Sequence, residues 1–121
     1  MNKVFTLLII IIGIAASYPA LADDAIQTDK QAIQSDVNAI HKDNIALDKD
    51  RNTLVKDRAD KAIDKANGDS TKQAVDSTRI GAVETAINEK KAERDADRKM
   101  LAHDQKGLAD DRAKAESSSQ Q

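Results

Sequence analysis

The feature that most constrains the fold is an apolar residue at every seventh position, in two separate series. The first series is Ile26, Ile33, Ile40, Leu47 and Leu54; the second is Ile80, Ile87, Leu101, Leu108 and Ala115, with Arg94 at its one polar place. Seven residues complete about two turns of an α-helix, so each series marks the face of a helix that supercoils against another helix. The sequence has no apolar–polar alternation of period two, the pattern that would indicate strands. The sequence therefore predicts an all-α protein with two long helices.

The two series are separated by a polar segment that contains strong turn chemistry. Asn67 and Gly68 form a dipeptide typical of turns, and Gly68 suits the position just after a helix C-terminus. Ser70 or Thr71 is a candidate cap for the second helix. We predict a first helix at 23–66, a turn at 67–72, a second helix at 73–115 and a disordered polar tail at 116–121.

The spacing on either side of this segment favours a hairpin. If the chain folds back near Ser70, the residue numbers of facing stripe positions always add to 141, from Ile26 with Ala115 to Leu54 with Ile87. The two apolar lines then match along their whole length, as in an antiparallel coiled coil. Three alternatives stay open: assembly of the hairpins into a bundle, one kinked continuous helix, and parallel dimers of each segment.

The first 22 residues have the pattern of a secretory signal peptide. Lys3 gives a positive start, the segment 4–16 is almost wholly apolar, and Ala20-Leu21-Ala22 forms a small-x-small cleavage site. The apolar run is shorter than the roughly 18 residues that argue for a membrane span. We therefore expect cleavage after Ala22, export to the periplasm or the medium, and no membrane span in the mature chain.

Composition excludes several classes of function. Cysteine is absent, so disulfides, thiolate metal sites and cysteine nucleophiles are excluded. The 19 basic and 21 acidic residues give a net charge of −2, which argues against nucleic-acid binding. After residue 22 the chain has no aromatic residue and no proline. Because it also lacks a phosphate-binding loop and a His-Glu-x-x-His motif, we expect neither enzymatic activity nor a cofactor.

Aspartates follow the apolar stripe at the same seven-residue interval. They are Asp29, Asp36, Asp43, Asp50 and Asp57 in the first half, and Asp97, Asp104 and Asp111 in the second. We interpret them as lines that flank the apolar contact and face each other with like charge. Neighbouring arginines such as Arg51, Arg58 and Arg98 would neutralise them, or Ca²⁺ or Mg²⁺ would bind weakly along this face. His41 and His103 are more simply explained as solvent-facing residues than as ligands of Zn²⁺ or Cu²⁺.

The apolar contact predicted in this way is narrow. The positions four residues after the stripe are polar except for Val37, so the predicted seam has one apolar place per heptad where a coiled coil has two. A lone hairpin should therefore be only marginally stable. This weakness favours association with a second copy or with a partner helix.

Two functions follow from these patterns. The first is an exported, non-enzymatic helical hairpin that acts by coiled-coil self-association or partner contact, in envelope scaffolding or stress protection. Its contact stripe would be Ile26, Ile33, Ile40, Leu47, Leu54, Ile80, Ile87, Leu101 and Leu108. The alternative is a weakly structured hydrophilic protectant, or a divalent-cation-binding protein that uses the heptad-spaced aspartates. In its Ala-, Lys- and Asp-rich composition the chain resembles late-embryogenesis-like protectants.

Overall fold

Two helices make up nearly all of the described chain. A computed structural model describes residues 20–120, with side chains from residue 23 onward. Helix α1 spans Ala20–Ala66 and helix α2 spans Ser70–Ser119. They pack against each other in antiparallel directions, and residues 20–120 contain no strand. The predicted all-α helical hairpin is confirmed.

The turn is tighter than the predicted span of 67–72. Gly68 has a positive φ of 73°, as predicted for the residue that follows a helix C-terminus. The backbone N–H of Asp69 donates to the carbonyl of Asp64 at 3.0 Å, which closes the end of α1. The Asp69 side chain then accepts a hydrogen bond from the Lys72 N–H at 3.0 Å. Asp69 is therefore the cap, and α2 begins at Ser70 rather than at residue 73.

The second helix also ends later than predicted. The segment 116–119 is helical, although the sequence predicted a disordered tail from residue 116. This segment contains no Gly or Pro to stop the helix, and the Ser117 hydroxyl donates to the Ala113 carbonyl at 2.9 Å. Ala115 is buried, and it packs the preceding turn of α2 against α1.

The beginning of α1 lies close to the predicted cleavage site. The helix starts at Ala20, three residues ahead of the predicted start, because Ala20, Leu21 and Ala22 are good helix formers. Residues 1–19 lie outside the described part of the chain. The signal peptide predicted at 1–22 therefore stays a prediction.

The apolar stripe lies between the two helices. Six of its positions are buried: Ile26, Ile33, Leu47, Ile87, Leu108 and Ala115. Ile40, Leu54, Ile80 and Leu101 are half-buried. Near the chain ends the buried cluster unites Ile26 and Ile33 with Ala115 and Leu108, which is the predicted pairing. Leu47, only 1% exposed, is the most deeply buried side chain of this core.

Outside the contact between the two helices, the described surface is mainly polar. The exposed large apolar side chains are Ile45, Val55, Ile63, Val75 and Met100. Within residues 20–120, neither helix has a segment long and apolar enough to cross a membrane.

Candidate functional site

The contact between α1 and α2 alternates two kinds of layer, and we call this contact the seam. Apolar layers of the stripe alternate with layers that contain the heptad-spaced aspartates. Asp29, Asp36 and Asp43 are each half-buried, and Asp57 is buried, although the sequence predicted that these residues flank the contact. The predicted flanking position was wrong, although the two aspartate lines do face each other across the contact. Spacings of three and four alternate along a heptad seam, so a residue three places after the stripe occupies its second core position.

Four layers of the seam bring two carboxyl groups together. The two carboxyl groups in each of these layers lie within hydrogen-bonding reach of each other, one on α1 and one on α2. We call these four layers the acidic layers; they are Asp29 with Asp111, Asp36 with Asp104, Asp43 with Asp97, and Asp64 with Asp76. A carboxylate can only accept hydrogen bonds, so two ionised partners cannot satisfy each other.

Buried oxygens without partners mark each acidic layer. The Oδ2 atoms of Asp29, Asp36, Asp43 and Asp76 are buried and accept no hydrogen bond. An unpaired buried polar atom normally costs stability. In each acidic layer, one added proton would therefore allow one carboxyl group to donate a hydrogen bond to the other.

The protonation of these aspartates is shifted accordingly. Burial raises the pKa of Asp29, and the negative charge of Asp111 raises it further. Burial also raises the pKa of Asp36, with Asp104 as the next cause. In both layers the protonated carboxyl can donate a hydrogen bond across the seam, which favours the neutral form.

The other two acidic layers include a nearby base that does not cancel the effect. Burial and the neighbouring carboxyl of Asp97 raise the pKa of Asp43, while the charge of Arg94 opposes this rise. Burial and the neighbouring carboxyl of Asp64 raise the pKa of Asp76, whose partner Arg79 lies 3.9 Å from its Oδ1. Asp76 is 4% exposed, so it keeps little contact with water.

One layer of the same type is neutralised by a lysine. Lys90 Nζ donates to Asp50 Oδ2 at 2.5 Å, and both side chains are at least half-buried. Sequence reasoning missed this pair. The signal was available, because Lys90 precedes Asp97 by seven residues and occupies the position that holds aspartate in the next three heptads.

The predicted arginines do not neutralise the acidic layers. Arg58 crosses from α1 to α2, but its partner is Glu84, at 2.8 Å. Arg51 and Arg98 instead pair within their own helices, with Asp48 at 3.5 Å and Asp95 at 3.9 Å, respectively. These pairs are exposed and contribute little to stability.

Arg94 interrupts the apolar stripe at the place that faces Leu47 in the hairpin register. Its side chain is largely buried, and its Nη2 lies 3.4 Å from Asp95 Oδ1. Its buried Nε donates to no acceptor. Arg94 thus brings a positive charge into the seam beside the layer of Asp43 and Asp97 without completing its own hydrogen bonds.

The heptad-spaced aspartates do not assemble a metal-binding shell. Among residues 23–120, no group of three or more acidic or histidine side chains is arranged to hold a metal ion. Each acidic layer supplies two carboxyl groups, whereas Ca²⁺ takes about six to eight oxygen ligands. His41 and His103 are both exposed, and His103 Nδ1 lies 3.1 Å from Asp104 Oδ1.

A shallow groove lies at the turn end of the hairpin. It has a volume of about 370 Å³, is open to solvent, and includes Ile63 and Val75 beside the layer of Asp64 and Asp76. Such an open surface does not exclude water as a catalytic pocket does.

Comparisons with models of protein families, with curated proteins and with solved structures found no match. The functional argument therefore rests on the seam itself. Two of its properties carry that argument: the buried contact stripe and the opposed carboxyl groups.

Proposed function

We propose that this chain is an exported, non-enzymatic helix-contact protein that pairs its helices with those of a second copy, in envelope scaffolding or stress protection. The observation that supports this proposal is the location of the contact stripe. Every stripe residue lies in the seam, buried or half-buried, while the rest of the described surface is mainly polar. The seam is thus the extended apolar surface that the described hairpin can offer to another helix.

Exchange of helices between copies needs no new contact. When the turn at 67–69 straightens, α1 of one copy can pair with α2 of another in the same register. The stripe layers and the pair of Asp50 with Lys90 then form between chains instead of within one chain. Such domain swapping is a low-cost route to dimers.

The acidic layers make this exchange easier. Like charges that face each other oppose pairing of the two helices. The closed hairpin is therefore held mainly by its apolar layers and opens more easily, and every layer forms again when the helices pair with another copy in the same register. A self-associating scaffold fits this combination of a weak closed form and a repeated contact.

Sedimentation velocity combined with far-ultraviolet circular dichroism tests the proposal. The chain would be purified from the exported fraction, where mass spectrometry should place its N-terminus at Asp23. Across about a hundredfold dilution we expect dimers or larger species at high concentration and loss of mass on dilution, as mass action requires. The helix signal should persist, because each released chain can close into the hairpin.

A locked hairpin supplies the matched control. Because the chain has no cysteine, Ile33→Cys together with Leu108→Cys introduces a single disulfide across a buried layer. The oxidised variant should remain monomeric, and reduction should restore its association. Association that persists in the locked variant, or a natural chain that stays monomeric and helical at every concentration, would contradict exchange of helices.

A further inference from the structure

The acidic layers repeat along nearly the whole hairpin. Three of them, formed by Asp29, Asp36 and Asp43 with their partners on α2, follow one another at intervals of one heptad. The fourth, formed by Asp64 with Asp76, lies next to the turn. Each contains a buried carboxyl oxygen that accepts no hydrogen bond. A protonated carboxyl in the pair would supply the missing donor.

We propose that the acidic layers are a proton-operated lock, which closes the hairpin in acid and loosens it near neutral pH. In acid, one carboxyl of each pair carries a proton and donates it in a hydrogen bond to the other carboxyl across the seam. Near neutral pH this proton is lost, and the repulsion between the two carboxylates weakens the pairing of the helices. The lock depends on the hairpin alone and goes beyond the proposed function, because it operates whether or not a second copy binds.

Groups from both helices set the strength of each layer. Asp29 faces Asp111 and Asp104 on α2, with Lys114 as the opposing positive charge. Asp36 faces Asp104 and Asp97 with no opposing lysine or arginine among the described residues, and His103 Nδ1 lies 3.1 Å from Asp104 Oδ1. The layer of Asp36 and Asp104 should therefore respond most strongly to protonation.

The remaining two layers are moderated by arginine. Asp43 faces Asp97 and Glu93, and Arg94 opposes them. Asp76 faces Asp64 and Asp60 on α1, while Arg79 of its own helix opposes them. In both layers the acidic neighbours outweigh the base, so protonation still relieves net repulsion.

The direction of the pH effect follows from linkage. A carboxyl whose pKa is raised in the hairpin holds its proton more tightly there than in the unfolded chain, where aspartate titrates near about 3.9. Its stabilising contribution is complete below that value and is lost as pH rises through the raised pKa. The exposed Asp110 behaves in the opposite way, because its hydrogen bond with Lys106 lowers its pKa. Its contribution disappears only at still lower pH.

Thermal melting of the natural chain and of a triple variant tests the lock. The variant carries Asp97→Asn, Asp104→Asn and Asp111→Asn, so three acidic layers gain an amide donor that does not titrate. Between about pH 7 and about pH 4.5 we expect the Tm of the natural chain to rise by on the order of 10 °C. The variant should melt higher than the natural chain at pH 7 and lose most of the pH dependence.

A second triple variant controls for net charge. Asp48→Asn, Asp95→Asn and Asp110→Asn remove the same three charges from exposed positions. The control should retain the pH dependence of the natural chain and should not gain stability at pH 7.

A lysine variant covers the case in which the seam variant does not fold. Asp104→Lys should convert the layer with Asp36 into an ion pair like that of Lys90 with Asp50, and should reduce the rise in Tm in acid. A natural chain whose Tm falls between pH 7 and pH 4.5 would overturn the lock. Equal flattening of the pH dependence in the seam and exposed triple variants would overturn it as well, because net charge would then explain the effect.

Discussion

Leu47→Asp should abolish the hairpin, whereas Ile45→Asp, two residues away, should leave it nearly unchanged. Leu47 is 1% exposed and lies in the seam, while Ile45 is 57% exposed. Loss of a buried leucine side chain costs about 2–5 kcal/mol, and a carboxylate buried in its place adds a desolvation penalty. The new charge would also lie one turn from both Asp43 and Asp50. For a narrow seam, the combined cost should exceed the whole free energy of unfolding.

Far-ultraviolet circular dichroism and urea titration measure this contrast. The two variants introduce the same residue into the same helix, so helix propensity and net charge change similarly. For Ile45→Asp we expect a change within about 0.5 kcal/mol, as is usual for exposed sites. Equal loss of helix in the two variants would show that Leu47 is not the centre of a buried contact.

Replacing one acidic layer with leucine should produce the largest gain in stability. Asp36→Leu together with Asp104→Leu removes two opposed carboxyl groups and extends the apolar cluster of Ile33 and Leu108. Relief of the buried charge and the added apolar contact should together raise the free energy of unfolding by about 2–4 kcal/mol. This corresponds to an increase in Tm on the order of 10–20 °C.

The layer of Asp50 and Lys90, whose charges cancel, provides the comparison for this gain. Asp50→Leu together with Lys90→Leu introduces the same leucines but removes an attractive ion pair. Its gain at pH 7 should be smaller, because no repulsion is relieved. Thermal melts at pH 7 measure both double variants, and a gain at the 50/90 layer equal to that at the 36/104 layer would contradict the role assigned to opposed charge.

The hairpin could be predicted from the sequence because its strongest signals are local and periodic. Apolar residues spaced seven apart share one face only on a helix. Gly68 lies between the two apolar series, where the seven-residue spacing breaks. The register followed from spacing alone, and the buried cluster pairs Ile33 with Leu108 accordingly. Helix boundaries were less accurate, because Asp69 competes with Ser70 and Thr71 as a cap and the sequence pattern does not rank them.

The core position of the aspartates was missed for a different reason. Polar residues are usually solvent-exposed, so the aspartates were assigned to a flank although their three-residue offset from the stripe is that of a core position. The same assumption concealed the pair of Lys90 with Asp50. The sequence predicted that the two aspartate lines face each other, whereas the burial of their carboxyl groups and its effect on the pKa of Asp36 are visible only in the structure.

These features describe a coiled coil that is apolar at one core position and titratable at the other. The apolar stripe specifies which helices pair and in which register. The aspartates make the strength of that pairing depend on protons, which a seam of leucines would not do. If the chain is exported as proposed, to a compartment whose pH follows the surroundings, its hairpin would tighten there in acid.

Carboxyl-carbon NMR of the natural chain, followed from neutral pH into acid, tests the central claim most directly. Asp36 and Asp110 offer an internal comparison, because the pKa of Asp36 is raised by burial and by Asp104 while that of Asp110 is lowered by Lys106. We expect Asp36 to take up its proton at a higher pH than the unfolded-chain value near about 3.9, and Asp110 at a lower pH. Titration of the two carboxyl groups together, with the helices still paired, would contradict a proton-operated seam.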